Sequence, residues 1–568
     1  MKLIDIKIKI GFSLMLIFLF STACDDRLTE LNVDPLGVDP GQGNPNQVMT
    51  TILTGAADNY LNLGFGDIAG VMQHTQKDGW FSGHNSYDWD AQEWAGWYGL
   101  LRNNKYMMER AEDLGYDFHL GVGYLMRGFL FGTITDLWGD APYTAALKGN
   151  TGEENFLFPT YDSQDVIYEG VIADLEQAAS IFANSDNTGL VSAYDVYYNG
   201  NIENWHKLAN SLLLRYYMRI SDKMSDKAKS GIERIASSGV IITSAEDDAM
   251  MDFIGASGND SWPSNTLDGG SNFRRIKAGQ PFLDRLMDND DPRLEVWFDP
   301  VHVQFIANPD LPVSVEPYIR KNGVVQDGVA SMLDAEFLAQ KAAGNVFTRH
   351  YNPDSLAMMS ESINDDMYVG IPPGILAPSN HNFNPTPGQN VQNQHVSQLD
   401  EIYRETAGDL LTARIISAAE VHFILAEAAL KGWSVGSAED HYNMGVKESL
   451  SAWGVEDMYD DFIQMPGVEF NNTLQRIIEQ KWIASWTAAT EAWFDYRRTG
   501  FPQLEAGPAS DQPVLPVRFN YGNDEIAFNP DNLSAGRQGL QVTEYSGPRQ
   551  NDSQWSKPWI IQDTNKPW

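Results

Sequence analysis

The sequence predicts a predominantly α-helical protein, on three observations. Hydrophobic residues make up 43% of the 568-residue chain, ordinary for a folded protein and incompatible with wholesale disorder. Several segments carry apolar residues at helical spacing. The strongest runs from Asn201 to Ser221, where Trp205, Leu208, Ala209, Leu212, Leu213, Tyr216, Tyr217 and Ile220 trace one face. No long run of period-two alternation competes with these segments.

The N-terminal residues set the expected compartment. Lys2, Lys7 and Lys9 precede an apolar run, Ile10 to Phe20, that is too short for a spanning helix of roughly 20 residues. It fits the apolar core of a secretory signal. Small residues Ser21, Thr22 and Ala23 then lead into Cys24, the single cysteine of the chain. That position resembles the lipobox of a bacterial lipoprotein, with residues 1–23 removed and Cys24 acylated. The mature chain would hold no free thiol, which excludes disulfides, cysteine metal sites and a cysteine nucleophile. Residues 24–44 are polar and turn-rich, as expected of a tether, and residues 45–568 are expected to form one folded domain.

Within that domain the first helix starts near Pro45. Further helices are predicted over Gln92 to Arg110, Tyr124 to Asp136, Ser163 to Phe182, Ala413 to Lys431 and Thr473 to Trp493. Asn201 is placed to cap the strongest helix, and Gly432 reads as a stop signal. Two regions break the pattern. Trp80 to Asp90 (WFSGHNSYDWD) is a loop rich in small polar residues and rings. From about Ser244 to Gln398 the chain becomes irregular and turn-dense, and from Pro508 onward it again reads as loop. Long loops on a compact scaffold are a usual home for recognition.

Composition narrows the partners. A formal net charge of −38 makes nucleic acid and anionic membrane surfaces poor ligands, since both need clustered positive charge. The chain is rich in flat rings, with 16 Trp, 23 Tyr and 26 Phe.

Catalytic signatures are missing or misplaced. Gly432 to Gly436 (GWSVG) matches G-x-S-x-G, but it follows a helix, whereas a nucleophile elbow follows a strand. Gly64 to Gly70 has one residue too many for a dinucleotide loop. The 10 histidines include no metal-ligand pair at i, i+4. Asp288, Asp290 and Asp291 could suggest a structural calcium ion, yet they lack the glycine and bidentate glutamate of a calcium loop, so no cofactor is assigned. Glycoside hydrolysis needs only two carboxylates roughly 5–10 Å apart, and no segment points to such a pair. The chain is read as a non-enzyme.

Seven segments in order carry a family resemblance: Thr135 to Tyr143 (TDLWGDAPY), Pro159 to Gln164 with the helix from Ile167 to Ala178, Asn204 to Leu212 with Arg215 and Arg219, Asp291 to Leu294, Glu420 to Gly432, Arg476 to Trp482, and Glu491 to Pro502 (EAWFDYRRTGFP). Their order resembles the SusD/RagB family of outer-membrane nutrient-binding lipoproteins, especially its SusD-like, starch-binding-associated branch. The resemblance implies a mainly α fold with tetratricopeptide-like helix pairs and a loop-rich second half. It implies lipid anchoring on the extracellular face of the outer membrane and a SusC-like TonB-dependent transporter as partner. It further implies capture of an oligo- or polysaccharide for delivery to that transporter; a RagB-like role in peptide import is the alternative. A neutral β-glucan is the glycan that the acidic surface suggests.

A sugar site needs exposed flat rings beside amides or carboxylates. In the family the main glycan site draws on the loop region matching Trp80 to Trp89. The expected contacts are therefore Trp80, Phe81, Asn85, Tyr87 and Trp89, with His84, Asp88 and Asp90 beside them. Trp262, Asn265 and Tyr351 are added from the irregular half, with Asn272, Phe273, Asn352 and Tyr368 behind them. Trp94 and Trp97 are expected in the core, and Arg497 and Arg498 in internal ion pairs with Asp495 or Glu491.

Overall fold

The computed structural model describes residues 40–258, 260–263, 275–326, 339–358, 362–384, 393–564 and 566. The expected signal segment, Cys24 and the tether as far as residue 39 lie outside them, as do Asn265, Asn272 and Phe273. By internal contacts the chain divides into two units, Met1–Pro45 and Asn46–Trp568. The second carries the architecture that follows.

Helix α1 (Pro45–Gly64) starts on a proline, whose missing N–H costs nothing at a helix start. After the short α2 (Asp67–Val71) and strand β1 (Thr75–Lys77) come α3 (Ala95–Leu114), α4 (Asp117–Trp138), α5 (Gln164–Phe182), α6 (Ile202–Arg219) and α7 (Ser225–Ser238). Each of these five packs on the next, as in a stack of helix pairs. The reason is clearest in α6. The Asn201 side chain accepts hydrogen bonds from the N–H groups of Glu203 and Asn204, and the eight-residue apolar stripe is wholly buried. Burying each such side chain contributes about 1.5–3 kcal/mol before entropy is counted.

The irregular half is not strandless. It holds β2 (Ala249–Asp252), β3 (Ile276–Ala278), α8 (Gln280–Asp288), β4 (Gln304–Ala307), β5 (Arg320–Lys321), β6 (Val324–Val325) and β7 (Phe347–Tyr351). Strand β8 (Thr412–Ile416) follows, and then α9 (Ala418–Leu430), α10 (Ala438–Ser451), α11 (Leu474–Ala484), α12 (Ala489–Thr499), α13 (Asn523–Phe528) and α14 (Pro530–Gln538). Among the described residues three small sheets form: β1 with β3, β2 with β8, and the order β4-β7-β5-β6.

Two predicted helices are divided. Thr412–Ile416 pairs antiparallel with β2, so the helix expected from Ala413 begins only at Ala418, with Ser417 as its cap. The stretch expected from Thr473 to Trp493 breaks at Ser485–Ala488, where Thr487 takes φ 67°. The helices α13 and α14 lie where the sequence reads as loop. Gly432 sits at φ 81° just beyond α9, a position glycine adopts without strain.

Most of the rings build the core. Phe282, Trp297 and Trp486 stack on one another with centroids 5.4–5.8 Å apart. Trp94 and Trp97 are buried, as expected. A buried ion network ties α4, α6, α9, α11 and α12 together. Arg215 pairs with Glu420 at 2.7 Å, Arg219 with Asp136 at 3.2 Å, and Lys481 with Asp495 at 2.7 Å. Arg498 reaches Asp495 at 2.9 Å and Glu427 at 2.5 Å, and Arg497 reaches Asp136 at 3.3 Å. The two arginines are therefore internal, while Glu491 turns to Arg215 and Arg219.

Candidate ligand-binding site

The loop between β1 and α3 is organised by its polar side chains. Asp88 accepts from Ser82 Oγ and Ser86 Oγ, each at 2.7 Å, and from the Gly83 N–H. Partial burial acts to raise its pKa, yet these bonds hold the carboxyl below its ordinary value. The Asn85 amide mimics a strand neighbour: it accepts from Lys77 N–H and donates to Lys77 C=O, both at 2.9 Å. His84 is buried against Thr75 and Asp67, and burial, with the Lys77 charge, lowers it to about 4.

These bonds decide which predicted contacts face outward. Trp80 is 41% exposed and Phe81 half-buried. Asp88 and Asp90 are exposed beside them. Trp89 is a correction: its Nε1 donates to Gly83 C=O at 2.8 Å, and its ring packs edge-on against Phe519 at 5.0 Å and Trp493 at 5.8 Å. Tyr87 and Asn85 are corrected likewise, the first lying in the main core and the second fully spent on Lys77.

The second group also turns inward. Trp262 is fully buried among Phe65, Phe253 and Tyr403. Tyr351 ends β7, donates to Asp365 at 3.0 Å and is 5% exposed. Asn352 donates to Leu311 C=O at 2.6 Å, and Tyr368 is half-buried. As surface contacts for a ligand, Trp262 and Tyr351 are therefore corrected too. Asn265 lies outside the described residues. Asp291 holds Arg293 through both carboxylate oxygens, at 2.9 and 2.6 Å, so it is not gathered with Asp288 and Asp290.

What remains is a site centred on Trp80. Its backbone sits at φ 49°, a left-handed conformation that costs a non-glycine residue about 1–2 kcal/mol. The Arg275 guanidinium lies over the ring, 5.6 Å from its centroid. Arg275 is buried and donates to Asp78 at 3.2 Å, and Lys277 approaches the same carboxylate at 4.0 Å. Asp78 also accepts from Asn393 N–H at 2.8 Å, and Asn393 donates to His381 C=O at 2.8 Å. That chain of bonds connects Trp80 to the turn carrying Phe383, which is 37% exposed at φ 51°. Arg275 and Phe383 were not singled out in sequence. Nothing in residue type marks an arginine as the backing of a ring.

Beside this loop lies a cleft of about 850 Å³, lined among others by Gln73, Tyr496, Phe501, Leu504 and Lys566. Its wall is formed where Gly507 crosses the Pro373–Gly374 turn, itself set against the Asn85 carbonyl. A Cβ on Gly507 would fall 1.8 Å from the Pro373 oxygen, so only glycine fits that crossing.

The model of a family described as starch-binding and associating with the outer membrane matches residues 39–308 and 352–522. Among solved structures, a SusD homologue from Bacteroides fragilis is 20% identical, with a TM-score of 0.67 over 92% of this chain and 100% of its own. A SusD homologue from Bacteroides thetaiotaomicron is 19% identical, with a TM-score of 0.65 over 93% and 100%. A chitin-binding SusD homologue from Flavobacterium johnsoniae is 20% identical, with a TM-score of 0.63 over 91% and 99%. No curated protein matches the sequence.

Proposed function

This chain belongs to the SusD-like family, described as starch-binding and associating with the outer membrane, and on that premise we propose that it binds a glycan at the cell surface through Trp80. The observation that carries the proposal is the state of that ring. It is exposed, held in a strained backbone conformation, and backed on one face by Arg275, itself fixed by a buried carboxylate. The exposed part of the indole is where a ligand would stack. A sugar ring offers an apolar C–H face of matching size, and burying it against a preorganised indole costs little conformational entropy. Phe81 widens the platform, and the exposed carboxylates of Asp88 and Asp90 supply acceptors for hydroxyl groups.

Capture at such an open surface suits micromolar to millimolar affinity, around −4 to −8 kcal/mol, so that ligand can be released onward. The chain is proposed to sit on the extracellular face, anchored through acylated Cys24, and to pass its ligand to a SusC-like TonB-dependent transporter. Affinity electrophoresis of the full chain through gels containing starch, soluble chitin derivatives or a β-glucan tests the binding step. Retardation by at least one polysaccharide is expected. Unretarded migration in all of them, with capture of peptides instead, contradicts the glycan reading and favours peptide import.

A further inference from the structure

Two histidines that no sequence spacing connects meet between α9 and α10, and one of them reaches the G-x-S-x-G loop that joins the two helices. His422 lies on α9 and His441 on α10, with Nδ1 atoms 3.2 Å apart. Each ring is fixed by its other nitrogen. His422 Nε2 lies 3.1 Å from the Thr243 carbonyl, and His441 Nε2 lies 3.0 Å from the Val435 carbonyl, inside the G-x-S-x-G loop. A carbonyl only accepts, so both Nε2 atoms carry the proton and both neutral rings present a lone pair at Nδ1. Two lone pairs therefore face each other at hydrogen-bond distance. That arrangement is repulsive unless something positive lies between them.

We propose that His422 and His441 form a binding site for a divalent first-row transition metal ion of the Zn²⁺ and Cu²⁺ class. Two nitrogens each about 2.0–2.1 Å from a tetrahedral ion lie about 3.3 Å apart, close to the separation seen here. Donation of the outer ring N–H to a backbone carbonyl is the usual way a protein sets the tautomer and aim of a ligating histidine. Both rings do so. The loop is shaped for it: Gly436 sits at φ 116°, and a Cβ there would come within 3.2 Å of His441 Nε2.

Among the described residues no group of three or more His, Cys, Asp or Glu side chains gathers to hold a metal, so the site has two protein ligands. Water reaching the partly exposed His441 would fill the open positions. An ion there joins α9, α10 and the loops at Thr243 and Val435, and would act as a staple.

The test titrates the full chain with CuCl₂ under electron paramagnetic resonance and with ZnCl₂ in a calorimeter. Saturable uptake is expected, with copper hyperfine structure from two nitrogens and a melting temperature raised by Zn²⁺. His441→Gln and His422→Gln should each weaken uptake by more than about tenfold and abolish the Zn²⁺-dependent rise. His441 is partly exposed, so His441→Gln decides the matter alone if the buried His422 variant fails to fold. Absence of saturable uptake, or uptake unchanged in His441→Gln, overturns the proposal and leaves the pair holding only a proton.

Discussion

The residues of the Trp80–Trp89 loop divide by which way their side chains turn, and stability measurements separate the two groups. Trp89→Ala removes a ring packed on Phe519 and Trp493 and should cost about 3–5 kcal/mol in urea unfolding. Trp80→Gly removes an exposed ring from a left-handed position. The lost contact with Arg275 and the relieved backbone strain roughly offset, so its stability should stay within about 1 kcal/mol of the parent. An equal loss in both variants contradicts this division. Sequence placed these rings in one loop correctly but could not sort them. Residue type tells that a tryptophan is present, whereas the partner that draws Trp89 inward, Phe519, lies near the far end of the chain. Asn85 misleads for a similar reason: its amide is suited to sugar hydroxyls, and it is spent instead on Lys77.

At the scale of elements, the helices hold together through apolar stripes and through the buried ion network. Glu420→Ala would strip Arg215 of its strongest partner and leave a buried charge, costing about 3–5 kcal/mol in the same unfolding assay. The network also sets a pH dependence. Burial acts to raise Asp495 and Glu491, but Lys481 and Arg498 beside the first, and Arg215 and Arg219 beside the second, hold both below the usual carboxylate value. Such groups add stability above their unfolded value near 4 that is lost as the pH falls through the folded one.

Burial lowers His74 and His395 to about 3, and His84 and His119 to about 4, against an ordinary 6.5. Below about pH 6.5 the unfolded chain therefore takes up protons that the folded chain refuses. Asp248 and Asp140, raised by burial to about 7 and 6, work the other way. Histidines with large shifts outnumber carboxylates with large shifts, so the melting temperature should fall between pH 7 and pH 4; a rise over that range contradicts the balance. Helix α6 was legible almost to the residue because its stripe and its Asn201 cap are local signals. The strand at Thr412–Ile416 was not, since only pairing with distant β2 distinguishes it from the start of a helix.

For the whole molecule, the separate helices and the order of the motifs were readable in sequence, whereas the pairing of those helices came only with the family resemblance, and the family is shown by the model that matches most of the chain. The small sheets, the inward turn of most rings and the histidine pair were not readable, because each depends on contacts between residues far apart in the chain. The proposed anchoring predicts that Cys24→Ser moves the chain from the membrane fraction to the soluble fraction, and that protease added to intact cells digests the parent. Protection from protease would contradict outward display. The most direct measurement is calorimetric titration of the full chain and of Trp80→Gly with whichever polysaccharide retards the parent in gels. Removing a stacked indole should weaken binding by about tenfold or more, roughly 1–2 kcal/mol, at unchanged melting temperature. Equal affinity in the two proteins would contradict the claim that this ring holds the glycan.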